Sequence, residues 1–168
     1  MCNVEPYLRQ CLYRILGQIF TNFEVLLVND GSTDDLGFIC QEYARLDSRF
    51  KYFEKENGGV FDARNSGLDL AQGDYVTFLD AEDFIFEDYL EKNYIATTLS
   101  DADIIIGGYS RFDGSDFYFY KDHKIGLFPR DTTPVYDSIE RVTKSFYTIK
   151  KDGIAGWYDA KSNREFFE

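Results

Sequence analysis

Basic residues are few compared with acidic ones, since 18 Lys and Arg stand against 30 Asp and Glu and the formal net charge is −12. Contacts to nucleic-acid phosphates need clustered Lys and Arg, so no nucleic-acid partner is expected. A small anion can still bind where a divalent cation bridges it to acidic side chains. The single histidine, His123, lies in a polar stretch and is expected at the surface rather than in a catalytic site.

Cysteine is scarce, and long apolar runs are absent. The three cysteines form no C-x-x-C pair and no zinc-site spacing, which indicates reduced thiols of a cytoplasmic protein. No run approaches the roughly 20 apolar residues that cross a bilayer, so any membrane association would be peripheral. No basic segment followed by an apolar one opens the chain, and no signal peptide is expected.

Apolar residues are present in the amount and pattern of a globular α/β domain. Hydrophobic residues make up 44% of 168 residues, enough for one sizeable core. Strand and helix patterns alternate at short spacing, which predicts βαβ units and a mainly parallel sheet flanked by helices. Helices are expected at 4–19, 36–46, 60–71, 87–99 and 134–149, and strands at 23–30, 50–55, 74–80 and 102–109.

Several local signals define the ends of these elements. Asn3 is expected to cap the first helix, with Pro6 in its first turn. The run 32–34 (Ser-Thr-Asp) is expected to cap the second helix, and Gly67 to interrupt the third. The stretch "SRFDGSDFYFY" (110–120) is typical of a hairpin with a "DGSD" turn.

Polar residues follow two of the predicted strands. Ligands of parallel sheets bind at the carboxyl ends of strands, so Asp30 and Asp80 are expected at the same edge. A carboxylate at Asp30 can accept the imide N–H of a uracil. The pair 58–59 (Gly-Gly) allows close backbone approach to a ligand. Arg64 can pair with a phosphate, with the acidic edge, or with an ordinary surface acid.

The segment "DAED" (80–83) has two interpretations. Asp80 and Glu82, two residues apart on an exposed turn, can share a divalent cation that also binds a diphosphate. Alternatively, Asp83 and Glu87 form an acidic cluster at the start of the next helix. The spacing alone favours the second interpretation because D-x-[DE] is common.

Taken in order, these segments resemble a known family. "NVEPYLRQCLYRILGQIFTNFEVLLVNDGSTDD" (3–35) and "KENGGVFDARNSGLDLAQGDYVTFLDAED" (55–83) resemble the nucleotide-sugar-binding half of family-2 glycosyltransferases with the GT-A, Rossmann-like fold. The resemblance extends to about residue 112. It implies one incomplete GT-A domain over 1–168, with 1–112 binding the nucleotide-sugar and 113–168 beginning the acceptor part.

The resemblance also implies roles for single residues. Asp30 matches the acid that binds the uracil ring, and Arg64 the basic residue near the nucleotide. Asp80 matches the first acid of the family's DxD motif, near the ribose and the metal, and Glu82 stands at the metal-binding position. Asp83 matches the acid that follows. The implied reaction is inverting transfer from a UDP-sugar to a glycan or glycoprotein, with Mn²⁺ or Mg²⁺ at the leaving diphosphate.

Three departures from the family pattern leave the function open. The family's first strand, a central one, is missing before "MCN". Glu82 replaces an Asp, and the chain ends in "AGWYDAKSNREFFE" (155–168), before the usual general base, so no catalytic residue is assigned. A missing central strand leaves backbone groups unpaired. Another segment of the chain, of which 116–120 is one candidate, or a partner chain would fill the gap, or the sheet order would rearrange. We therefore expect a homo-oligomer.

Two function classes follow from these observations. One is the metal-dependent glycosyltransferase; the other is a truncated, non-catalytic module of the same fold that acts in nucleotide binding or oligomeric assembly. A receiver-like phosphate-binding domain is disfavoured, because no Lys lies at the end of a late strand.

Overall fold

The structure, a computed structural model, describes residues 1–83, 85–100, 104–106, 110–112, 117–119, 126–128 and 147–150. The chain divides into two compact units, Met1–Asp74 with Leu79–Lys92, and Tyr75–Phe78 with Asn93–Glu168. The described helices are α1 (Glu5–Leu16), α2 (Leu36–Leu46), α3 (Val60–Leu70) and α4 (Tyr89–Ser100). The described strands are β1 (Val25–Asp30), β2 (Phe50–Lys55), β3 (Tyr75–Thr77), β4 (Ile104–Ile106), β5 (Ser110–Phe112), β6 (Phe117–Phe119), β7 (Gly126–Phe128) and β8 (Tyr147–Lys150).

The first unit is built on the parallel pair β1–β2, whose register runs from Val25 opposite Phe50 to Asp30 opposite Lys55. A parallel pair needs a long crossover, and α2 supplies it. The apolar run of β1 is buried at Leu27 and Val28, which point to opposite faces. Both faces are therefore covered, as the run "VLLV" predicts.

Helices α2 and α3 cover these two faces. A Cβ at Gly37 of α2 would lie 2.9 Å from the Tyr52 hydroxyl of β2. A Cβ at Gly67 of α3 would lie 3.7 Å from Val28 of β1. Because strand side chains alternate, Asp30 shares the face of Val28 and lies on the α3 side. The predicted α/β class with a parallel sheet flanked by helices is confirmed for this unit.

Helix α1 follows the predicted apolar spacing. Its buried residues are Leu8, Cys11, Leu12 and Ile15. Proline lies in the first turn as expected, but the predicted cap at Asn3 is wrong. Asn3 has φ of 52°, and its side-chain oxygen accepts the backbone N–H of Thr33 at 3.1 Å. The amide therefore joins two loops, and Val4 takes the N-cap position without a side-chain bond.

The predicted cap of α2 at 32–34 is wrong, because Asp35 takes the N-cap position without a side-chain bond, although Asp34 does bond to the first helical residue. Asp34 Oδ1 accepts the N–H of Leu36 at 3.3 Å, and its Oδ2 accepts the N–H of Glu5 at 3.1 Å. One carboxylate thus serves the starts of α1 and α2. Ser32 Oγ accepts the N–H of Asn3 instead of a helix donor. Ser32 therefore joins the loop that precedes α1.

Several element bounds differ from the sequence prediction, among them α1, which ends at Leu16 rather than 19, and α4, which begins at Tyr89 rather than 87. Gly67 does not interrupt α3, which runs unbroken to Leu70. The strand expected at 74–80 has only three residues, Tyr75–Thr77, and Asp80 lies in the turn beyond it.

The described strands of the second unit pair antiparallel, in the order β3-β8-β4-β7, and β5 pairs with β6 separately. The predicted 110–120 hairpin is confirmed in these strands, although its turn lies outside the described residues. The helix expected at 134–149 is wrong at 147–149, which belong to β8. The structure does not describe the rest of that predicted helix, His123 or residues 155–168. Among the described residues, no helix is long and apolar enough to cross a membrane.

The outer edge of β1 is paired at its carboxyl end by the first residue of the chain. The Met1 amino group donates to the Val28 carbonyl at 2.9 Å, and the Met1 carbonyl accepts the Asp30 N–H at 2.9 Å. These two bonds have the pattern of a parallel strand pair. Among the described strands, β6 of the expected filler segment 116–120 pairs with β5. In the first unit, Met1 is thus the residue that pairs with β1 beside Asp30.

Candidate functional site

Asp30 is a buried carboxylate with three hydrogen-bond donors, and only 3% of the residue is exposed. Lys55 Nζ donates to Oδ1 at 2.8 Å, and the N–H of Gly58 donates to the same oxygen at 2.9 Å. The N–H of Gly59 donates to Oδ2 at 2.9 Å. The loop after β2 is thereby fastened to the end of β1, which places the predicted Gly-Gly pair directly at Asp30.

These contacts keep Asp30 ionised. Burial alone would raise its pKa, but the bonds from Lys55, Gly58 and Gly59 outweigh it and hold the pKa of the carboxyl below its usual value. Lys55 also forms an ion pair with Asp62 of α3. Hydrogen bonds to Asp30 and Asp62 raise the pKa of Lys55. Asp30 and Lys55 are therefore both charged at neutral pH.

The loops after β1 and β2 approach each other closely. Gly31 has φ of 68°, and a Cβ there would lie 2.9 Å from the backbone nitrogen of Asn57. Asn57 Nδ2 in turn donates to the Asp30 carbonyl at 2.9 Å. Gly59 has φ of 86° and takes the N-cap position of α3. Glycine is needed at Gly31 for both its conformation and the contact.

Arg64 and Asp80 form an ion pair, with Nη2 of the guanidinium 3.2 Å from Oδ1 of the carboxylate. The Arg64 side chain is 26% exposed and the Asp80 side chain 57% exposed. The sequence allowed a phosphate, the acidic edge or an ordinary surface acid as the partner of Arg64. The structure shows a contact with the acidic edge, through Asp80. The pair brings the third helix and the acidic turn 80–83 together within the first unit.

The acidic turn carries concentrated negative charge. The N–H of Asp83 donates to the Asp80 carbonyl at 3.0 Å, which closes the turn. Burial, followed by the charges of Asp80 and Glu82, raises the pKa of Asp83 to about 6. Below the turn, Cys11 Sγ lies 3.8 Å from the Asp80 carbonyl, and burial raises its pKa to about 12. Added positive charge at this turn would be stabilising.

The donor set of this turn suits a hard divalent cation shared with a ligand. In the described part of the chain, no three His, Cys, Asp or Glu groups converge on one metal position. Mg²⁺ commonly uses only one or two carboxylates and completes its shell with substrate phosphates and water. Asp80 and Glu82 fit that role. The alternative interpretation, an acidic cluster at the start of the next helix, fits Glu87, two residues before α4, but not Asp83, six residues before it.

Sequence reasoning missed Lys55 and Gln18. The sequence did hold a signal for Lys55. If β1 and β2 pair in parallel with their first residues, Val25 and Phe50, opposite each other, Lys55 lies opposite Asp30. Gln18 had none. Its buried amide donates to the carbonyls of Arg14 and Phe86 and accepts the N–H of Leu90 at 3.0 Å. Gln18 thereby fastens the segment after the acidic turn to α1.

A separate polar cavity lies on the α2 face of the β1–β2 pair. Its lining includes Asn29, Tyr52, Glu54 and Phe38 but none of the predicted site residues. Asn29 Nδ2 donates to the Tyr52 hydroxyl at 3.0 Å, and that hydroxyl donates to Glu54 at 3.2 Å. These polar groups satisfy one another, so we place the candidate site on the opposite face, at Asp30.

Comparison with known proteins connects this geometry to a family. Residues 1–156 match the family described as Glycosyl transferase family 2. The chain belongs to this family. The glycosyltransferase GlyA of Streptococcus pneumoniae is 48% identical to this family-2 chain over 118 residues, which are 70% of this chain and 17% of GlyA.

Solved structures agree on the fold. S. aureus TarS 1-349 superposes with a TM-score of 0.73 at 21% identity, over 98% of this chain and 47% of that one. Mannosyltransferase PcManGT from Pyrobaculum calidifontis superposes with a TM-score of 0.55 at 22% identity, over 62% and 32% of the two chains. This family-2 chain thus spans less than half the length of each of these relatives, and the predicted GT-A fold is confirmed.

Proposed function

We propose that the chain binds a UDP-sugar and transfers its sugar to a glycan or glycoprotein acceptor, with inversion at the anomeric carbon. The carrying observation is that Asp30, the Gly58–Gly59 loop, Arg64 and Asp80 belong to one compact unit. Family membership supports the reaction class. TarS has been solved in complex with UDP, and PcManGT with GDP-Man and Mn²⁺.

In this proposal Asp30 accepts the imide N–H of the uracil, and the glycine loop lets the nucleotide approach the backbone. Arg64 pairs with the nucleotide, and Asp80 lies near the ribose. Residues 1–112 form the nucleotide-sugar part and 113–168 the start of the acceptor part. The general base is not assigned.

Asp80 and Glu82 are the residues that would bind Mn²⁺ or Mg²⁺, with Asp83 as an additional acid. The bound ion supplies positive charge to the leaving diphosphate. Support comes from the charge of the turn, where burial and two neighbouring carboxylates raise the pKa of Asp83 to about 6. Arg64 orients the Asp80 carboxylate through its 3.2 Å contact.

Calorimetric titration of UDP with Mn²⁺, together with a donor-hydrolysis assay, tests the proposal. The wild-type chain should bind UDP and hydrolyse UDP-sugar slowly, and Asp80→Ala should lose about tenfold or more in metal-dependent affinity. Asp69→Ala, an exposed acid of α3, is the matched control and should behave as wild type. Absence of UDP binding by the wild type would overturn the proposal.

A second candidate is a non-catalytic module of the same fold that binds a nucleotide or assembles. It is favoured by the internal pairing of the site, since Asp30 and Asp80 already have cationic partners within the chain. UDP binding without turnover under saturating Mn²⁺ would support it.

A homo-oligomer is proposed with either function, and sedimentation showing only monomer at micromolar concentration would contradict it. A cytoplasmic location is proposed from three cysteines that are all free thiols.

A further inference from the structure

Lys55 lies opposite Asp30 in the parallel register, and its Nζ contacts Asp30 Oδ1 at 2.8 Å. We propose that Lys55 determines the base selectivity of the nucleotide site, because it takes one acceptor position of Asp30 and leaves that carboxylate able to accept a single N–H. The inference rests on the proposed function. It adds a residue that does not itself contact the nucleotide.

The acceptor positions of Asp30 can be counted. A carboxylate offers about four lone-pair positions, two on each oxygen. Oδ1 accepts from Lys55 and Gly58, and Oδ2 accepts from Gly59. In the described part of the chain, one position on Oδ2 is therefore left.

Lys55 is fixed in place by all three of its N–H donors. Besides Asp30, its ammonium contacts the Asp62 carboxylate and donates to the Glu56 carbonyl at 2.6 Å. An ammonium has three donors and no acceptor, so Lys55 has no free donor to offer a ligand. It therefore stays on Oδ1 when a nucleotide binds. Gly58 and Gly59 donate through the backbone, which makes Lys55 the only side chain among the three donors.

The nucleobases differ in the number of donors that they present to such a carboxylate. The imide edge of uracil has one N–H between two carbonyls, which matches one free acceptor position. Guanine presents two adjacent donors, N1–H and the N2 amino group, and one of them would be buried without a partner. A buried, unsatisfied donor weakens binding, and we expect about a tenfold preference for UDP over GDP.

Calorimetry with UDP and with GDP, each with Mn²⁺ at pH 8, tests the inference. The two ligands share the ribose and diphosphate, so the ratio of their affinities reports the base alone. Lys55→Met frees one position on Oδ1, so the ratio should fall about tenfold, towards equal affinity. Lys51→Met is the matched control, since Lys51 lies in the same strand and pairs with Glu24 at 2.7 Å. It should keep the wild-type ratio.

The outcomes separate the two proposals. Failure of wild-type chain to bind either nucleotide would remove the proposed function and this inference together. If the wild-type chain binds UDP and GDP with equal affinity, the role of Lys55 is overturned and the proposed function stands. This comparison needs no variant. An unchanged ratio in a folded Lys55→Met chain, verified by its thermal unfolding, would also overturn it.

Discussion

The guanidinium of Arg64 lies 3.2 Å from Oδ1 of Asp80, sixteen residues further along the chain. The pair joins a helix that begins at the glycine loop to the turn that carries the acidic cluster. Both residues are partly exposed, so the ion pair itself adds little stability. Its value lies in orienting two charged groups that a nucleotide diphosphate and its cation would contact.

Replacement of Arg64 by Ala should lower UDP affinity about tenfold, because a charge-assisted contact to the nucleotide and the orientation of Asp80 are both lost. Calorimetry with Mn²⁺ measures this. Arg9→Ala removes a comparable ion pair, Arg9 with Glu42 at 2.9 Å, away from the site and should leave affinity unchanged. Equal affinity of the Arg64→Ala and wild-type chains would contradict the role of Arg64.

Glu82 should matter only for the metal-dependent part of nucleotide binding. Glu82→Gln removes the charge and should reduce the gain in UDP affinity on adding Mn²⁺ by about tenfold, while Glu82→Asp should keep most of it. Titrations with Mn²⁺ and with a chelator give the gain for each variant. Glu87→Gln, also exposed and nearby in sequence, is the control. A full gain in Glu82→Gln would exclude Glu82 as a ligand.

Much of the first unit could be predicted from the sequence because its signals are local. The apolar period of α1, the buried run of β1 and the glycines of the "NGG" loop each reflect a single element. The choice of Asp30 as a candidate site residue followed from its position after a buried strand. The alternation of strands and helices predicted parallel strands but not the register, so Lys55, which lies opposite Asp30, was missed.

The errors came from contacts between segments distant in sequence. Asn3 was expected to cap its own helix but bonds to Thr33, thirty residues away. Gly67 was expected to interrupt α3, yet the helix runs through it and lies against Val28 of β1 there, with room for a methyl group. Gln18 joins two distant segments through one amide. No local propensity describes such tertiary partners, so sequence patterns could not reveal them.

The two glycines Gly31 and Gly67 should respond oppositely to alanine. Gly31→Ala puts a Cβ 2.9 Å from the Asn57 nitrogen at a φ of 68°, and should lower the free energy of unfolding by about 1–3 kcal/mol. Gly67→Ala lies in a helix interior with an ordinary 3.7 Å contact and should raise it by about 0.5–1 kcal/mol. Urea denaturation measures both. Changes of the same sign and similar size in the free energy of unfolding of the two variants would contradict the contacts described for Gly31 and Gly67.

Gln18→Leu should lower the free energy of unfolding by about 1–2 kcal/mol, because the Leu90 N–H loses its acceptor and the Phe86 carbonyl keeps only the Tyr89 N–H. Gln18→Glu keeps an acceptor for Leu90 but loses the donors, and should also be destabilising. Gln10→Leu, an exposed residue of α1, is the control and should stay within about 0.5 kcal/mol of wild type. Urea denaturation measures all three; a wild-type stability of Gln18→Leu would show that this amide is dispensable.

Asp30→Asn should lower the free energy of unfolding by about 2 kcal/mol at pH 7, because an amide N–H₂ would then face the donors of Gly59 or Lys55. The pKa of Asp30 is lower in the folded chain than its usual value. The unfolded chain therefore binds the proton more readily, and the contribution of Asp30 to stability is fully present above about pH 4 and lost as the pH falls through the folded pKa.

Urea denaturation at pH 7 and near pH 3 should show that the difference in free energy of unfolding between Asp30→Asn and wild type is smaller at the lower pH. Asp69→Asn, on the exposed side of α3, is the control and should change stability little at either pH. A difference for Asp30→Asn that stays constant down to the lower pH would mean that ionisation of Asp30 is not what stabilises the junction of β1, Lys55 and the glycine loop.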